Sequence, residues 1–392
     1  MIITQSRLEK LGPYPFQRLS DLLAPYDAAD LDFIDAGAGE PRLPLPEFVA
    51  PILAQQLSGF SKYPPTGGIL ALRQSIAGWL MRRYDLNDVN AETQVLSANG
   101  TREALFAVAH ALIEPEASVK PYVLMPNPMY QIYLGATWTA GGTPYLLPCE
   151  SDHDFAPNLD AIPEEVWRKT RMVYVCSPSN PTGWVASKNY LHCLIELAHR
   201  YDFYVLSDEC YSEIYWQHAP VGLLEVAEQS GYENFSRCVV FNSLSKRSAL
   251  PGLRSGFIAG DANVIALFAK LRSYTGPATP LPLQHVAAAA WQDEAHVVQN
   301  LAVYRSSLAA FFNVYPGAVP EGSFFVWLPV ADDKAFAIAA YRDCAVKLLP
   351  GSFLATEDEH GNNPGKGYVR LALVDGPEKA AELAQRLLTI RI

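Results

Sequence analysis

The segment from Phe241 to Asp261, FNSLSKRSALPGLRSGFIAGD, concentrates side chains that can carry out chemistry. Lys246 has a flexible amine, which can form an imine with an aldehyde or a ketone. Ser243, Ser245 and Arg254 add two hydroxyls and a planar cation, a set of donors that suits a phosphate group. An imine-forming lysine beside a phosphate cradle indicates pyridoxal phosphate. Alone, the short pattern fits a surface turn with capping serines better, so the rest of the chain has to decide.

Two strand-like runs must hold this segment in place. Arg237–Phe241 (RCVVF) leads into it and Ser255–Ala259 leads out of it. Both runs are apolar enough to be buried, and the pattern therefore predicts that Lys246 lies on a tight loop between two buried strands.

Other polar residues also follow strand-like runs. Gly100 and Thr101 open a helix after one run, and Asn180 lies in SPSNPTG after another. Asp208 follows a third run, FYVLS. Because strands alternate with helices up to about residue 260, the sequence predicts an α/β fold with a mostly parallel sheet. Ligands of such sheets bind at the carboxyl ends of the strands, which would bring these motifs together.

The residues at these strand ends suit particular partners. A carboxylate at the end of a buried strand is costly unless it is paired, so Asp208 needs a cation such as a protonated pyridine nitrogen. A salt bridge or a helix cap is the ordinary alternative for Asp208. The helix that starts at Thr101 offers unpaired N–H groups and a positive dipole end, which suit a phosphate. That last signal is weak by itself, because many proteins contain a strand, a glycine and a helix in this order.

These motifs together resemble one known family. S-x-S-K followed by G-L-R-x-G, with the arginine eight residues after the lysine, is similar to the signature of class I/II aminotransferases, which are fold type I pyridoxal-phosphate enzymes. The resemblance runs from about Pro13 to Val374. It implies a large domain with a mostly parallel seven-stranded sheet and a smaller α/β domain. We expect an N-terminal arm and part of the small domain in residues 1–45, the large cofactor-binding domain in 46–280 and the small C-terminal domain in 281–392.

The resemblance implies roles for the residues around the cofactor ring. Lys246 forms the imine and then moves protons, with Asp208 and Tyr211 as the other catalytic residues. Asp208 keeps the pyridine nitrogen protonated. Asn180 and Tyr211 hold the phenolic oxygen, and Tyr130 stacks on the ring, although an aromatic residue in such a segment is often only part of the core.

The resemblance also implies a set of phosphate-binding residues, which comprises Gly100, Thr101, Arg102, Ser243, Ser245 and Arg254. In the family, the tyrosine at the position of Tyr63 reaches across a dimer interface to the partner's phosphate. The resemblance therefore implies a homodimer with a shared active site.

The substrate carboxylate is expected at Arg370. This arginine lies in the strand-like run YVRLALV, where a carboxylate partner is needed, either from a protein acid or from a substrate. The resemblance implies that Arg370 grips the α-carboxylate bidentately, that Asn180 contributes to the same site and that the Gly39 N–H faces it.

A second substrate carboxylate needs another cation. Arg102 belongs to the substrate set as well as the cofactor set and is the first candidate, with Arg42 and Arg247 as alternatives. Each of the three arginines also fits an exposed charge or a protein salt bridge.

Longer stretches narrow the implied function. SLSKRSALPGLRSGFIAGD and NPMYQIYLGA resemble the succinyldiaminopimelate aminotransferases of bacterial lysine biosynthesis. The implied reaction is a ping-pong transfer between N-succinyl-L,L-2,6-diaminopimelate and 2-oxoglutarate, with glutamate as the donor in the biosynthetic direction. The alternative is an aminotransferase for aspartate, aromatic or branched-chain amino acids on the same scaffold. A β-elimination lyase would use the same cofactor-binding residues.

Composition limits the remaining classes of function. The chain has 392 residues, 49% apolar and 18% charged, with a net charge of −11, which argues against nucleic acid or an anionic membrane as a partner. We expect a cytoplasmic protein, because the sequence shows neither a membrane-spanning run nor the apolar core of a signal peptide. Six scattered cysteines without a CxxC pair predict free thiols and no metal site.

GAGEP lacks the third glycine of a dinucleotide fingerprint, which excludes a nicotinamide-dependent oxidoreductase. A cofactor-sensing regulator would need a DNA-binding domain and a basic patch.

Overall fold

The computed structural model describes residues 6–358 and 360–391. Its strands, in chain order, are Ile34–Asp35 (β1), Val95–Ala98 (β2), Tyr122–Asn127 (β3), Thr143–Pro148 (β4), Thr170–Cys176 (β5), Tyr204–Asp208 (β6), Cys238–Ser243 (β7), Gly256–Gly260 (β8), Phe325–Pro329 (β9), Val346–Lys347 (β10), Leu349–Pro350 (β11) and Tyr368–Ala372 (β12).

The α-helices, in chain order, are Ser6–Glu9 (α1), Pro15–Leu23 (α2), Val49–Gln55 (α3), Leu70–Tyr84 (α4), Thr101–Leu112 (α5), Ile132–Ala140 (α6), Glu164–Trp167 (α7), Lys188–Tyr201 (α8), Leu223–Gln229 (α9), Leu244–Arg247 (α10), Ala262–Thr275 (α11), Leu281–Gln292 (α12), Ala295–Phe312 (α13), Asp333–Cys344 (α14) and Pro377–Leu388 (α15). Within the described ranges, none of these helices combines the length and the apolar character needed to cross a membrane.

The largest sheet has seven strands in the order β2-β8-β7-β6-β5-β3-β4. Every neighbouring pair is parallel except the two pairs that β8 makes, with β2 and with β7. The seven-stranded, mostly parallel sheet predicted from the sequence is therefore confirmed. Parallel strands need crossover connections that lay helices on the sheet, which explains why these strands read as continuous apolar runs.

Alternate residues of each central strand enter two different cores. In β5, Val173 and Val175 pack with α4, α8, α9 and α12, whereas Met172 and Tyr174 pack with α5, α6 and α11. Side chains alternate across a strand, so this pattern places helices on both faces of the sheet. Polar chemistry is thereby confined to the ends of the strands.

The C-terminal part of the chain builds a second core. The strands β11, β12 and β9 form an antiparallel sheet in that order, and β1 pairs in parallel with β10. The helices α13, α14 and α15 pack on these strands around residues that include Ile34 and Val346. The strand β1 therefore belongs with the C-terminal elements, although it lies near the start of the chain.

The two cores meet at the junction between α12 and α13. Val286 and Trp291 of α12 lie in the core of the large sheet, whereas Leu308 and Phe311 of α13 lie in the second core. The stretch from Ala262 to Phe312 consists of the three helices α11, α12 and α13. The domain boundary expected after residue 280 stays a prediction, and the packing of α12 with the large sheet leads us to propose residues 293–294 as the boundary instead.

Candidate active site

The carboxyl ends of four strands of the large sheet lie at one edge. Cys176 at the end of β5 pairs with Asp208 of β6, which pairs in turn with Phe241 of β7. Through β8, the end of β7 is next to Ala98 of β2. The loops and helices that follow these strands consequently share one pocket. It brings together nine of the residues predicted from the sequence: Gly39, Thr101, Arg102, Tyr130, Asn180, Asp208, Tyr211, Lys246 and Arg370.

Lys246 lies on α10, a single helical turn, and not on the tight loop that the sequence predicted. The turn forms because the Ser243 hydroxyl accepts the N–H of Ser245 at 3.1 Å and caps its start. The Lys246 ammonium group donates to the carbonyl of Gly39. Burial lowers the pKa of Lys246 to about 8, and the nearby Arg370 cation contributes to the shift. The site thus favours a reactive, partly neutral amine.

Gly39 allows the close approach of two protein segments. A Cβ atom at this position would lie 2.4 Å from Cζ of Phe325, so a larger residue does not fit. The carbonyl of Gly39 faces Lys246. The predicted contact of its N–H with a substrate carboxylate stays a prediction.

Asp208 is a buried carboxylate, 4% exposed, at the end of β6. Its Oδ2 accepts a hydrogen bond of 2.7 Å from the hydroxyl of Tyr133, and its Oδ1 accepts one of 3.3 Å from the N–H of Cys210. Burial raises the pKa of Asp208, while these donors oppose the rise. Among the described residues, no ion pair involves Asp208. A buried acid with donors but no paired cation fits the protonated ring nitrogen of pyridoxal phosphate.

Arg370 on β12 lies opposite the end of β5. Its Nη1 donates to Oδ1 of Asn180 at 2.8 Å, its Nη2 donates to the carbonyl of Gly37 at 2.7 Å, and its Nε has no partner within the described part of the chain. Burial lowers the pKa of Arg370 to about 10. No described acid pairs with this arginine, which removes the protein-acid alternative and favours a carboxylate from a substrate.

Tyr211 occupies the wall of the pocket between these groups. Its ring packs against Phe324 and Phe325, with ring centroids 5.5 Å and 5.6 Å away, and it is 6% exposed. The ammonium of Lys246 lies 5.9 Å from the centre of the Tyr211 ring. Two of the three predicted catalytic residues, Lys246 and Tyr211, are therefore close in space.

A second group of predicted residues adjoins the pocket. Ser243 Oγ donates to Ser245 Oγ at 2.9 Å, and Arg254 Nη2 donates to the carbonyl of Asn99 at 3.2 Å. Gly100 has a φ of +86°, and a Cβ there would lie 2.2 Å from Nη2 of Arg254. Glycine is therefore needed at the start of α5 for the arginine to reach it. Hydroxyls, a guanidinium and a helix N-terminus form a donor set that fits a phosphate.

Tyr63 lies away from this group on the surface. Its side chain is fully exposed, at 101% of the reference area. The predicted contact of Tyr63 with a phosphate depends on a partner subunit and stays a prediction.

The structure separates the three candidate arginines. Arg42 forms an ion pair with Asp375 at 2.7 Å. Arg247 is buried and forms an ion pair with Glu294 at 2.7 Å. Arg42 and Arg247 therefore fit the protein salt bridge that the sequence left open for each of them, and a substrate contact is favoured for neither.

Arg102 remains in the pocket, and no acid among the described residues forms an ion pair with it. Its Nε donates to the Tyr130 hydroxyl at 2.8 Å and its Nη2 to the Tyr14 hydroxyl at 3.4 Å. The guanidinium carbon lies 5.6 Å from the ring centre of Tyr14 and 5.9 Å from that of Tyr130, so both rings hold the cation in place. Tyr130, assigned to ring stacking, thus also positions Arg102.

Sequence reasoning missed Tyr14 and Cys210 in the lining of the pocket, and Tyr133, which is buried behind the lining against Asp208. Tyr133 was overlooked although it lies in NPMYQIYLGA three residues after Tyr130, a spacing that puts both tyrosines on one side of a helical turn. Tyr14 lies in PYPF, whose aromatic and proline content indicates a packed segment but not its target. Cys210 also lines the pocket, where its Sγ lies 3.2 Å from the hydroxyl of Thr101. Nothing in the sequence indicates that contact.

Comparisons with known proteins agree with this geometry. A model of the family described as aminotransferase class I and II matches residues 32–387. An LL-diaminopimelate aminotransferase of Syntrophobacter fumaroxidans is 30% identical over 400 residues, which cover 98% of each chain. The crystal structure of an aminotransferase from Neisseria meningitidis has a TM-score of 0.92 and 40% identity, covering 98% of this chain and 99% of that one. The aminotransferase AspB of Helicobacter pylori has a TM-score of 0.90 and 32% identity, covering 97% and 100%.

Proposed function

Because this chain belongs to the class I and II aminotransferases, we propose that it transfers an amino group between a diaminopimelate derivative and a 2-oxo acid. The preferred pair is N-succinyl-L,L-2,6-diaminopimelate and 2-oxoglutarate, with glutamate as the donor in the biosynthetic direction. Two observations support a diaminopimelate derivative as the substrate. One is the similarity of SLSKRSALPGLRSGFIAGD to the succinyldiaminopimelate subgroup, and the other is the 30% identity with an LL-diaminopimelate aminotransferase.

Lys246 supplies the amine of the reaction. The family uses pyridoxal phosphate, which when bound supplies an aldehyde and a ring that withdraws electrons from the carbon losing its proton. Lys246 would provide the neutral amine that holds the aldehyde and, once displaced by the donor, the base that takes the proton from the donor's α-carbon. With a pKa of about 8, about one lysine in ten is neutral at pH 7, on the order of 200 times more than at an ordinary pKa near 10.4. The Gly39 carbonyl keeps this amine directed at the pocket.

Asp208 is the counter-ion for a protonated ring nitrogen. Tyr133 and the Cys210 N–H donate to its two oxygens, so the carboxylate keeps its charge and its orientation inside the core. Asn180 accepts from Arg370 through Oδ1, which leaves its Nδ2 as a donor for the phenolic oxygen. Tyr211 supplies a second donor to that oxygen.

The remaining polar residues bind the phosphate and the two substrates. The donors near the N-terminus of α5 take the phosphate: the backbone of Gly100 and Thr101 with the side chains of Ser243, Ser245 and Arg254. Arg370 and the N–H of Gly39 hold the α-carboxylate of each substrate in turn. This arrangement fixes the α-carbon next to Lys246.

The charge of the pocket is the observation that carries the choice of substrate. The cations Arg102, Lys246 and Arg370 line it, and Asp208 is the one carboxylate among the described lining residues. With Arg370 on the α-carboxylate and Asp208 on the cofactor, Arg102 faces the distal part of the substrate. A succinylated distal end carries carboxylates and an amide, which match this cation. The distal ammonium of free L,L-diaminopimelate has no acidic partner among the described residues that line the pocket. Removing an unpaired charge from water is costly.

Turnover with a panel of donors tests the proposal. Purified protein loaded with pyridoxal phosphate is supplied with 2-oxoglutarate and, separately, N-succinyl-L,L-diaminopimelate, L,L-diaminopimelate, aspartate, tyrosine or leucine, and the glutamate formed is measured. The highest kcat/KM is expected for the succinylated compound. A higher value for L,L-diaminopimelate would favour the second candidate, the reaction of the relative from Syntrophobacter fumaroxidans. A higher value for any of the other donors would remove the diaminopimelate assignment and keep the aminotransferase.

Arg102 allows a sharper version of the same test. The variant Arg102→Leu should lower the preference for the succinylated compound over L,L-diaminopimelate by about tenfold or more, since one charge-assisted contact is lost. Arg42→Leu is the matched control, because Arg42 is bound to Asp375. An unchanged preference in Arg102→Leu would remove the distal role of Arg102.

A homodimer is part of the proposal: the family resemblance puts Tyr63 at the phosphate of a partner subunit, and its side chain is fully exposed in this chain. The cytoplasmic location predicted from the sequence stays a prediction.

A further inference from the structure

The two residues after Lys246 tie α10 to the junction between α12 and α13. Arg247 is 1% exposed, and its guanidinium lies 5.1 Å from the ring of Trp291. Arg247 Nη1 donates to the carbonyl of Ala290 at 2.6 Å, and Nη2 donates to Oε1 of Glu294 at 2.7 Å. The short helix that carries Lys246 is therefore attached to the segment where the two cores meet.

A chain of hydrogen bonds extends this attachment through Ser248. Oγ of Ser248 lies 2.8 Å from Nε2 of His296, and Nδ1 of His296 lies 2.5 Å from Oδ1 of Asp293. Arg247 Nη1 lies 3.3 Å from the same Ser248 oxygen. Four side chains on two separate segments thus form one continuous path.

The chemistry of the groups sets the direction of this path. A guanidinium can only donate, and a carboxylate can only accept. Arg247 therefore donates to Ser248, Ser248 donates to Nε2 of His296, and Nδ1–H of His296 donates to Asp293, an assignment made from the network. Burial lowers the pKa of His296 from its ordinary value, although Asp293 opposes the shift, and the neutral ring required by this direction is favoured.

A serine, a histidine and an aspartate in this order also form the triad of many hydrolases. Ser248 is 0% exposed, so no substrate can reach its hydroxyl. The three residues therefore do not form a nucleophilic site, and their role has to be found in what they hold.

The element that they hold is α10, which has four residues and cannot be stable alone. Its start is fixed by the cap from Ser243, whose hydroxyl also bonds to the carbonyl of Ser255 at 3.2 Å. Its end is fixed by Arg247 and Ser248. The position of the Lys246 amine depends on both attachments, and a shift of about 1 Å at a reacting group can cost on the order of 100-fold in rate.

We propose that Asp293, His296 and Ser248 are positioning residues for Lys246, which fix the end of α10 from the interdomain junction. The hydrogen-bond chain gives each of the three groups a defined partner, so α10 has a single favoured position. Loss of one link should let α10 shift away from the Gly39 carbonyl that the amine contacts.

The absorbance of the loaded protein tests this role without a turnover assay. The absorbance of bound pyridoxal phosphate depends on whether the nitrogen that joins it to Lys246 is protonated. The midpoint pH of the absorbance change therefore depends on the position of that nitrogen. The variants are Ser248→Ala, His296→Phe and the double variant, each loaded with cofactor and titrated, with thermal unfolding measured in parallel. Ser307→Ala is the matched control, since Ser307 is 0% exposed and its hydroxyl bonds to the Val303 carbonyl on the same helix as His296.

We expect the midpoint pH of the absorbance change to shift by more than about 0.5 pH units in each single variant. The double variant should show no further shift, because both substitutions break the same chain of hydrogen bonds. Ser307→Ala should lower the unfolding temperature without moving the midpoint. If the midpoint pH of both single variants matches that of the wild type, the proposal is overturned and the role of these residues is purely structural. The proposal is also overturned if the shifts of the two single variants add in the double variant. If Ser248→Ala does not fold, Asp293→Ala replaces it, because Asp293 is partly exposed, and the same outcomes decide.

Discussion

Arg370 donates a hydrogen bond of 2.8 Å to Oδ1 of Asn180, a residue 190 positions earlier in the chain. The bond joins β12 of the small antiparallel sheet to the loop after β5 of the large sheet. It fixes the orientation of the Asn180 amide, because Oδ1 is the end that accepts. The residue proposed to bind the substrate and the residue proposed to bind the cofactor thereby hold each other in place.

The variant Arg370→Lys tests the role of this guanidinium. Lysine cannot supply two parallel donors, so KM for the amino donor should rise about 100-fold, with a smaller change in kcat. Arg42→Lys is the control, since Nη1 of Arg42 donates to both carboxylate oxygens of Asp375 outside the pocket. An Arg370→Lys enzyme with wild-type KM would show that the α-carboxylate binds elsewhere.

Tyr133 is predicted to keep Asp208 charged. Its hydroxyl bond to Oδ2 lowers the pKa of that carboxyl against the effect of burial. In Tyr133→Phe the pKa of Asp208 should rise, the acid limb of the pH–rate profile should move to higher pH, and turnover at pH 7 should fall about tenfold.

The matched control for this change is Tyr174→Phe. Tyr174 is also buried, stacks on Tyr133 at 4.6 Å and donates its hydroxyl to the carbonyl of Leu105. Both variants should lose about 1 kcal/mol of stability, since each loses one buried hydrogen bond. Equal loss of activity in the two variants would argue that packing, and not the bond to Asp208, matters.

The pKa of Lys246 predicts how attachment of the cofactor depends on pH. The neutral amine attacks, and its fraction rises with pH until the pKa of about 8 is passed. The rate of attachment to the cofactor-free protein should therefore rise about tenfold per pH unit below pH 8 and level off above it. Stopped-flow absorbance after mixing with pyridoxal phosphate measures this rate. A rise that continues to pH 10 would mean that the site does not lower the pKa.

Gly100 is predicted to be essential for the phosphate site. Alanine there would be strained at a φ of +86° and would displace the Arg254 guanidinium. The dissociation constant of pyridoxal phosphate, measured by equilibrium dialysis, should rise on the order of tenfold or more in Gly100→Ala. Gly231→Ala is the control, because Gly231 has a φ of +81° and a Cβ atom added there would meet nothing within 4 Å. A comparable loss of cofactor affinity in both variants would show that backbone strain, and not the contact with Arg254, weakens binding.

The sequence was informative wherever a polar residue ends an apolar run. Asp208 and Asn180 were found because such runs predict parallel strands, and parallel strands put their carboxyl ends at one edge. Lys246 was found through its neighbours, and the family that its motif indicates is confirmed by the match over residues 32–387.

Contacts between distant segments could not be predicted in the same way. Arg247 next to Lys246 seemed a candidate for a substrate contact, but the structure buries it beside Trp291 and pairs it with Glu294. The hydroxyl of Tyr133 meets Asp208 75 positions away, and neither residue's type specifies the other. The periodicity of a sequence specifies which face of an element is buried, but it does not specify which side chain lies opposite.

Reduction of the loaded protein with borohydride tests the central claim most directly, because it fixes the cofactor to the amine that holds it. Peptide mass analysis should find the label on Lys246 alone. The label should disappear when N-succinyl-L,L-diaminopimelate is added before reduction and return after 2-oxoglutarate is added, since the donor releases the lysine and the acceptor restores it. A label on another lysine, or a label on Lys246 that no amino donor removes, would contradict the account.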